Sequence, residues 1–388
     1  MTNIPPSKNN NNSNAINWVI RIITLAFIAQ FYMSSNLWFP NDRSYPTIPL
    51  LSSLDFELGQ LLTSLLSALF IFFLVLSSIR ESLQRYSLLA AFFCYSILLL
   101  EDINRFQAWV YIYLAFLAII CWHKWKFQQA NSLLNLKFIL AMVYFWTGIQ
   151  KLNVQFITDV YPWLAKIFET TKGLAAYPSL GYSIGILEML IGLLLLSQHK
   201  QKLGVFLAVL LHIGILILLI KDEWNSVVYP WNVAMILLLM LLFKSSDVPS
   251  ISRQNLPNFA LLILFGIVPF LDFFQLSPHC LALGMYSGTS IECDLIINDE
   301  GTDSCVPKKL QDNLLFKSDR QSILSLDDWG MEDLNIPPFA SERVYQAVAK
   351  EFCVCSAPHG GFIELYIPQR WKDEDQALTI SCQALLKK

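Results

Sequence analysis

The feature that most constrains this chain is the series of apolar runs that fills most of residues 18–276. Runs of this length are typical of membrane-spanning helices, because a helix satisfies all of its own backbone hydrogen bonds in lipid. A few ionisable residues lie inside the runs, most clearly Lys151, Glu188 and His212. A charge in hydrocarbon costs about 2.5–3.5 kcal/mol on insertion scales, so such residues usually face the interior of a bundle. The sequence therefore predicts a polytopic membrane protein with a polar site inside its bundle.

The composition excludes several classes of protein. Charged residues make up 15% of the chain, whereas a soluble globular protein carries about a quarter. The net charge is −3, and because phosphate binding needs a basic surface, we expect no nucleic-acid partner. The Asn-rich residues 1–17 predict a short disordered cytoplasmic tail. The apolar run that begins near Trp18 is long enough to span, so we expect it to remain as an anchor and not to be cleaved.

The apolar runs predict an all-α bundle of about nine membrane-spanning helices, at 18–39, 58–79, 86–100, 108–122, 136–153, 180–197, 203–220, 227–243 and 258–276. Several are shorter than the roughly 20 residues that a span prefers, so we expect some to be tilted or partly re-entrant. Basic residues recur in every second connecting segment, as at Arg85, Lys124 and Lys200. Because basic residues favour the cytoplasmic side, we expect a cell-membrane protein with a cytoplasmic N-terminus and an extracytoplasmic C-terminus. An even number of spans would place the C-terminus inside.

Residues 277–388 have a different composition and predict a small extracytoplasmic α+β domain. Ser341 precedes an amphipathic pattern typical of a capped helix, and residues 362–367 are typical of a strand. This segment holds six of the eight cysteines, Cys280, Cys293, Cys305, Cys353, Cys355 and Cys382. Cysteines in an exported segment usually form disulfides, although their spacing does not give the pairing. A metal site at Cys353, Cys355 and His359 is disfavoured, because one residue between cysteines is not the usual zinc spacing.

Lys151 lies at the end of an apolar run and admits two interpretations. In the first, its stem lies in lipid and its ammonium reaches the headgroups. In the second, it turns inward and loses its hydration. Burial disfavours the ammonium, and a neutral amine near pH 7 can act as a base.

The segment around Lys151 resembles a known family. Residues 144–153, Tyr-Phe-Trp-Thr-Gly-Ile-Gln-Lys-Leu-Asn, are similar to the Phe-x-x-Gly-x-Lys-Lys-Leu-Asp stretch of vitamin K-dependent gamma-carboxylases. They are also similar to the related bacterial horizontally transferred transmembrane (HTTM) domains. Residues 99–111, 185–196 and 204–212 resemble segments that follow the same order in that family, so the likeness covers roughly residues 15–245.

The resemblance implies a membrane enzyme whose cofactor is a reduced quinone, with Lys151 in the position of the base that deprotonates it. The chain departs from the carboxylase pattern at Gln150, where those enzymes have a first Lys, and at Asn153, where they have Asp. It also has no counterpart of their large lumenal region. The likeness therefore supports the fold and a polar site more strongly than it supports glutamate carboxylation.

Small residues accompany the other two ionisable positions. Gly181, Gly185, Glu188 and Gly192 fall on one helical stripe, which should face another helix because small residues let helices approach closely. His212 follows Gly204 and Ala208 at spacings of four. We expect Glu188 and His212 to tune the base or relay protons. The structural alternative is a direct hydrogen bond between them that serves packing alone.

A polar cluster separates two of the runs and contains Glu101, Asp102, Asn104, Arg105 and Trp109. As a connecting loop it would be ordinary. As a re-entrant element it would line the outer mouth of a cavity and bind substrate. Arg105 would then orient an anionic group, Asp102 would be its ion-pair partner, and Trp109 and Asn153 would complete the subsite.

Three functions remain open. The first is the membrane enzyme, which would perform base chemistry on a quinol-like or lipidic substrate and modify an exported peptide. The second is a non-enzymatic membrane partner in the maturation, export or immunity of a secreted peptide. The third is a quinone-linked electron-transfer subunit of the DoxX kind. Convergence of Lys151, Glu188 and His212 within about 8 Å of one cavity would favour chemistry, because a base needs contact or one bridging water.

Overall fold

The computed structural model describes residues 6–53, 56–125, 129–245, 256–298, 305–306, 308–317 and 321–387, and it is mostly helical. Its α-helices are α1 Pro6–Met33, α2 Ser35–Trp38, α3 Gln60–Ile79, α4 Gln84–Glu101, α5 Ala108–Trp125, α6 Gln129–Gln150, α7 Tyr161–Lys166, α8 Gly181–Leu196, α9 Gln201–Lys221, α10 Tyr229–Leu242, α11 Leu256–Leu261, α12 Leu326–Leu334, α13 Glu342–Ser356 and α14 Cys382–Lys387. Its strands are β1 Glu292–Asn298, β2 Phe316–Lys317, β3 Gln321–Ser325, β4 Phe362–Ile367 and β5 Gln376–Ser381.

Six of the described helices are long and apolar enough to cross a membrane, and they are the segments Asn12–Met33, Gln60–Ile79, Ala108–Trp125, Asn131–Gln150, Pro178–Leu196 and Gln201–Lys221. The predicted count of nine is not confirmed. The predicted span 86–100 forms α4, and the last two predicted spans form the shorter apolar segments Ser226–Leu242 and Phe259–Phe274. The final segment is not one regular helix. Pro269 lies at its change from π to 3₁₀ geometry, and proline has no backbone N–H to donate there.

Helix α1 begins at Pro6, which corrects the prediction of a disordered tail over residues 1–17 for the part that the structure describes. The Asn-rich residues continue the apolar helix that starts near Trp18. The physical reason is cooperativity: once a helix is nucleated, each added residue gains a hydrogen bond at little further cost.

The start of α3 and the end of α4 lie together, and the C-terminal region packs against this end of the bundle. At that end the Leu58 amide donates to Glu101, which joins the start of α3 to the end of α4 (3.3 Å). Gln107, before α5, donates to the Pro337 carbonyl (3.0 Å). The core of the bundle includes an aromatic cluster, in which Phe27 makes edge contacts to neighbouring rings on α3 and α5.

The C-terminal region contains an antiparallel sheet in the order β2-β3-β1-β4-β5. The predicted strand at 362–367 is confirmed as β4. The predicted helix is confirmed as α13, whose first turn is capped by the Ser341 hydroxyl accepting from the Val344 amide (3.3 Å). Disulfides join Cys305 to Cys355 and Cys353 to Cys382. Both cysteines of the Cys353-x-Cys355 pair are therefore committed to disulfides, and Cys280 and Cys293 are free thiols.

Asp327, in the first turn of α12, predicts a pH dependence of stability. Its carboxyl accepts from the Tyr345 hydroxyl (2.5 Å) and the Cys293 amide (3.2 Å), and burial raises its pKa from 3.8 to about 7. A group whose folded pKa exceeds its unfolded pKa stabilises the fold less as the pH rises between the two values. We therefore expect the C-terminal region to lose stability from pH 4 to pH 7, measured as its unfolding temperature. Asp327→Asn should flatten this dependence, and an unchanged slope would contradict it.

Candidate functional site

Lys151, Glu188 and His212 line one cavity inside the bundle. The cavity contains about 550 Å³ of empty space, including its opening. Its wall comes from α6 and Lys151 after it, from α8 and α9, from α10 and Val228 before it, and from residues 285–286. The wall is largely apolar and aromatic, so the few polar atoms that reach it are the groups able to orient a ligand.

Glycines bring α6 and α8 into direct backbone contact beside this cavity. A Cβ at Gly192 would lie 2.6 Å from the Phe145 nitrogen and 2.7 Å from the Ala141 oxygen. A Cβ at Gly185 would lie 2.8 Å from the Gly148 oxygen. The stripe predicted from spacing therefore faces another helix, and it carries Glu188 into the same interface.

Lys151 and Glu188 form an ion pair across that interface. The Lys151 ammonium donates to the Glu188 carboxylate at 2.8 Å and to the Thr147 carbonyl at 3.3 Å. The two residues are only 7% and 5% exposed, which excludes the arrangement with the ammonium extended to the headgroups. Lys151 follows the last residue of α6, where the helix dipole favours a cation.

His212 belongs to a second polar chain in the same cavity. Its Nε2 lies 2.5 Å from the Tyr144 hydroxyl, and its Nδ1 lies 2.7 Å from the Asn232 side-chain oxygen. The Asn232 amide nitrogen already donates to the Val228 carbonyl (2.8 Å), so its oxygen accepts from Nδ1–H. In the neutral imidazole, the proton is therefore on Nδ1 and Nε2 accepts from the Tyr144 hydroxyl. The structural alternative of a direct Glu188–His212 hydrogen bond is not what the structure shows.

Tyr286 closes another part of the cavity wall and is held in a strained conformation. Its φ is 55°, and that of Asn225 is 48°. The Asn225 side chain donates to the Tyr286 hydroxyl at 2.9 Å. Left-handed backbone at a non-glycine residue costs of order 1–3 kcal/mol and often occurs at functional sites.

Sequence reasoning missed Tyr144, Asn232 and Tyr286. For two of them the sequence contains a signal that could have identified them. Tyr144 precedes Lys151 by two helical turns, which places both on one face. Asn232 is a polar residue within an apolar span. Tyr286 had none, because it lies in irregular chain after the last apolar helix.

The expected ion pair between Arg105 and Asp102 is wrong. Arg105 pairs with Glu101 at 2.7 Å, and Asp102 pairs with Arg43 at 2.6 Å. Glu101 is the last residue of α4, and the backbone turn through the extended residue Asp102 brings Arg105 back to it. Asp102 instead caps the 3₁₀ turn Ile103–Arg105 by accepting from the Asn104 amide (3.1 Å).

Arg105, Asp102, Trp109 and Asn153 do not belong to the cavity wall. The buried Arg105 guanidinium also donates to the Leu37 and Leu98 carbonyls. Trp109 packs edge-on against Phe27. Asn153 donates to the Ser287 carbonyl (2.9 Å), which fastens the end of α6 to the C-terminal region. Their predicted substrate-binding roles remain predictions.

No group of three or more His, Cys, Asp and Glu side chains within the described ranges is placed to hold a metal ion. Comparisons with models of protein families, with curated proteins and with solved structures found no match to this chain. The resemblance to the gamma-carboxylases and HTTM domains thus stays a prediction from the motifs.

Proposed function

We propose that this protein is a membrane-embedded enzyme that removes a proton from the hydroxyl group of a lipid-soluble, quinol-like molecule. The observation that carries the proposal is that an amine, a carboxylate and an imidazole line one largely apolar cavity. An aromatic alcohol suits such a cavity, because its ring packs on the apolar wall and its hydroxyl reaches the few polar atoms.

The Lys151–Glu188 pair can act as the base as a unit. The substrate hydroxyl proton moves to the Lys151 nitrogen while Lys151 passes one of its own protons to the Glu188 carboxylate. Afterwards Glu188 is neutral, and the Lys151 ammonium faces the new oxyanion. The charge count at the cavity is unchanged, so the site avoids creating an uncompensated buried charge. The distance of 2.8 Å between the two side chains permits this exchange.

The Tyr144–His212–Asn232 chain supports proton movement near the same pair. Neutral His212 presents Nε2 as an acceptor to Tyr144, and Asn232 holds the opposite ring nitrogen. This arrangement fixes the imidazole in one tautomer, as an orienting residue does in other acid–base sites.

The number of membrane passes and the side on which each terminus lies are part of the same proposal. The shorter helices α4 and α10 and the segment Phe259–Phe274 would complete nine passes, with the N-terminus cytoplasmic and the C-terminal region outside. The basic residues at alternate connections and the two disulfides of the C-terminal region support this orientation.

Binding of a short-chain naphthoquinol to the purified protein, followed by absorbance, tests the proposal. The wild type should bind it and shift its spectrum to that of the ionised form near neutral pH. Lys151→Met should bind the ring but show no ionised spectrum. Ile215→Trp should block binding, because Ile215 lines the cavity.

The matched control is Ile213→Trp on the same helix, where the side chain is 42% exposed and does not line the cavity. It should bind like the wild type. Absence of binding by the wild type, or an ionised spectrum that survives Lys151→Met, would remove the proposed chemistry.

Asn232→Leu should lower the turnover of the quinol by about ten- to a hundredfold with little change in its binding, because general acid–base groups contribute on the order of 10²–10⁴ in rate. The variant removes the acceptor that holds the His212 ring and leaves the ring itself. Tyr144→Phe should have a similar effect. Single-turnover kinetics measured across pH would separate quinol binding from proton transfer. Equal rates in the wild type, Asn232→Leu and Tyr144→Phe would exclude a relay.

A further inference from the structure

Strand β5 is an exposed edge of the C-terminal sheet. Five of its six residues are exposed, and it pairs only with β4 in the part of the chain that the structure describes. Its sequence, Gln-Ala-Leu-Thr-Ile-Ser, contains no charge, proline or glycine. Proteins usually block an edge strand with such residues or keep it short. The opposite edge, β2, follows that rule with two residues, one of them Lys317.

The register shows which backbone groups of β5 point outward. The Cys382 amide donates to the Gly361 carbonyl at 2.9 Å, which extends the β4–β5 ladder by one hydrogen-bonded pair. Hydrogen-bonded and non-bonded pairs alternate along an antiparallel ladder. Gln376, Leu378 and Ile380 therefore bond to β4, and Ala377 and Thr379 direct their N–H and C=O groups away from the sheet.

An apolar side chain on the core face of β5 is also left partly uncovered. Leu378 lies opposite Leu365 of β4. Leu365 is fully buried, whereas Leu378 is 37% exposed. A further strand beside β5 would bury this leucine in the way that β5 covers Leu365, and burial of apolar surface would add to the backbone hydrogen bonds.

The outer face beside this edge is acidic. Thr379 lies opposite Glu364, which lies opposite Asp294 on β1. Like charges on facing strands destabilise a sheet. Burial, with Asp328 and Glu364, raises the Asp294 pKa to about 6. The exposed run 373–375, Asp-Glu-Asp, leads directly into the strand.

We propose that β5 binds an extended, basic peptide segment as a sixth strand of the sheet. The outward backbone groups of Ala377 and Thr379 would pair with the peptide backbone, as in other cases of strand addition. Basic side chains on its outer face would meet the carboxylates of the sheet and of residues 373–375. A second copy of this chain is disfavoured as the occupant, because it would bring its own carboxylates to the same face. The proposal does not depend on the chemistry of the cavity.

The test is binding of a labelled synthetic peptide in which Lys and Thr alternate with Val, to the full chain in detergent, by fluorescence anisotropy. Thr379→Pro removes an outward N–H without removing a bond to β4 and should weaken binding by about tenfold, which corresponds to about 1.4 kcal/mol. Thr379→Val keeps the N–H and the shape and should bind like the wild type. A peptide with alternate backbone amides N-methylated should lose binding, and this comparison leaves the protein unaltered.

The charge component has its own control. Asp373→Asn/Glu374→Gln/Asp375→Asn should weaken binding and reduce its salt dependence, whereas Glu169→Gln, at an exposed acid that pairs with Lys172, should not. No binding by the wild type, or equal binding of the N-methylated peptide, would overturn the proposal. The proposal would also be overturned if the wild type formed dimers and Thr379→Pro dissociated them, because the occupant of β5 would then be a second copy of the chain. Lys151→Met/Glu188→Leu, which removes the cavity pair without leaving a buried charge unpaired, should bind the peptide normally, and this separates the test from that of the cavity.

Discussion

Glu188→Leu is expected to destabilise the protein far more than Lys151→Met/Glu188→Leu. Each side chain of the pair is nearly inaccessible, so removal of one leaves a buried charge without a partner, which costs about 3–5 kcal/mol. Replacement of both by apolar residues of similar volume is often neutral. The unfolding temperature in detergent should therefore fall in the single variant and largely recover in the double variant.

Activity should not recover with stability. If the pair removes a proton from the quinol, both variants should lack the ionised quinol spectrum although the double variant is well folded. Lys172→Ala provides the control, because Lys172 and Glu169 form an exposed pair at 3.5 Å, and exposed pairs contribute little. Full quinol ionisation by the double variant would show that Lys151 and Glu188 serve only helix packing.

Gly192→Ala is expected to have the second large effect. Its new Cβ would meet the Phe145 nitrogen at 2.6 Å and the Ala141 oxygen at 2.7 Å. Neither atom can move without moving α6, so the two helices must separate at a cost of typically 1–3 kcal/mol. The separation would also lengthen the Lys151–Glu188 contact. We expect a lower unfolding temperature together with a loss of quinol ionisation.

Gly214→Ala is the matched substitution on α9. A Cβ at Gly214 would meet no atom within 4 Å, and alanine favours a helix over glycine by roughly 0.5–1 kcal/mol. This variant should therefore be as stable as the wild type or slightly more stable. Similar decreases of the unfolding temperature in Gly192→Ala and Gly214→Ala would show that the close α6–α8 contact does not determine stability.

Part of the site could be predicted from the sequence because the signals are local. A glycine stripe that includes Glu188 indicates a close helix contact. The sequence left two interpretations of Lys151 open, and its contact with Glu188 decides that it turns inward. The capped helix α13 and the strand β4 were likewise predictable, since a capping serine and an apolar alternation are properties of neighbouring residues. The ion-pair partner of Arg105 could not be predicted, because the adjacent acids Glu101 and Asp102 are both candidates. The backbone turn after α4 decides between them.

The sequence alone determined that the chain is rich in helices suited to lipid, that ionisable residues occur within them, and that the cysteine-rich end differs in composition. These properties follow from side-chain hydrophobicity and helical periodicity, which depend only on residue order. Only the tertiary structure decided that Lys151 meets Glu188, that His212 bonds Tyr144 and Asn232, and that β5 is left as an open edge. Those contacts join residues from separate elements, and their distances depend on how whole helices and strands pack.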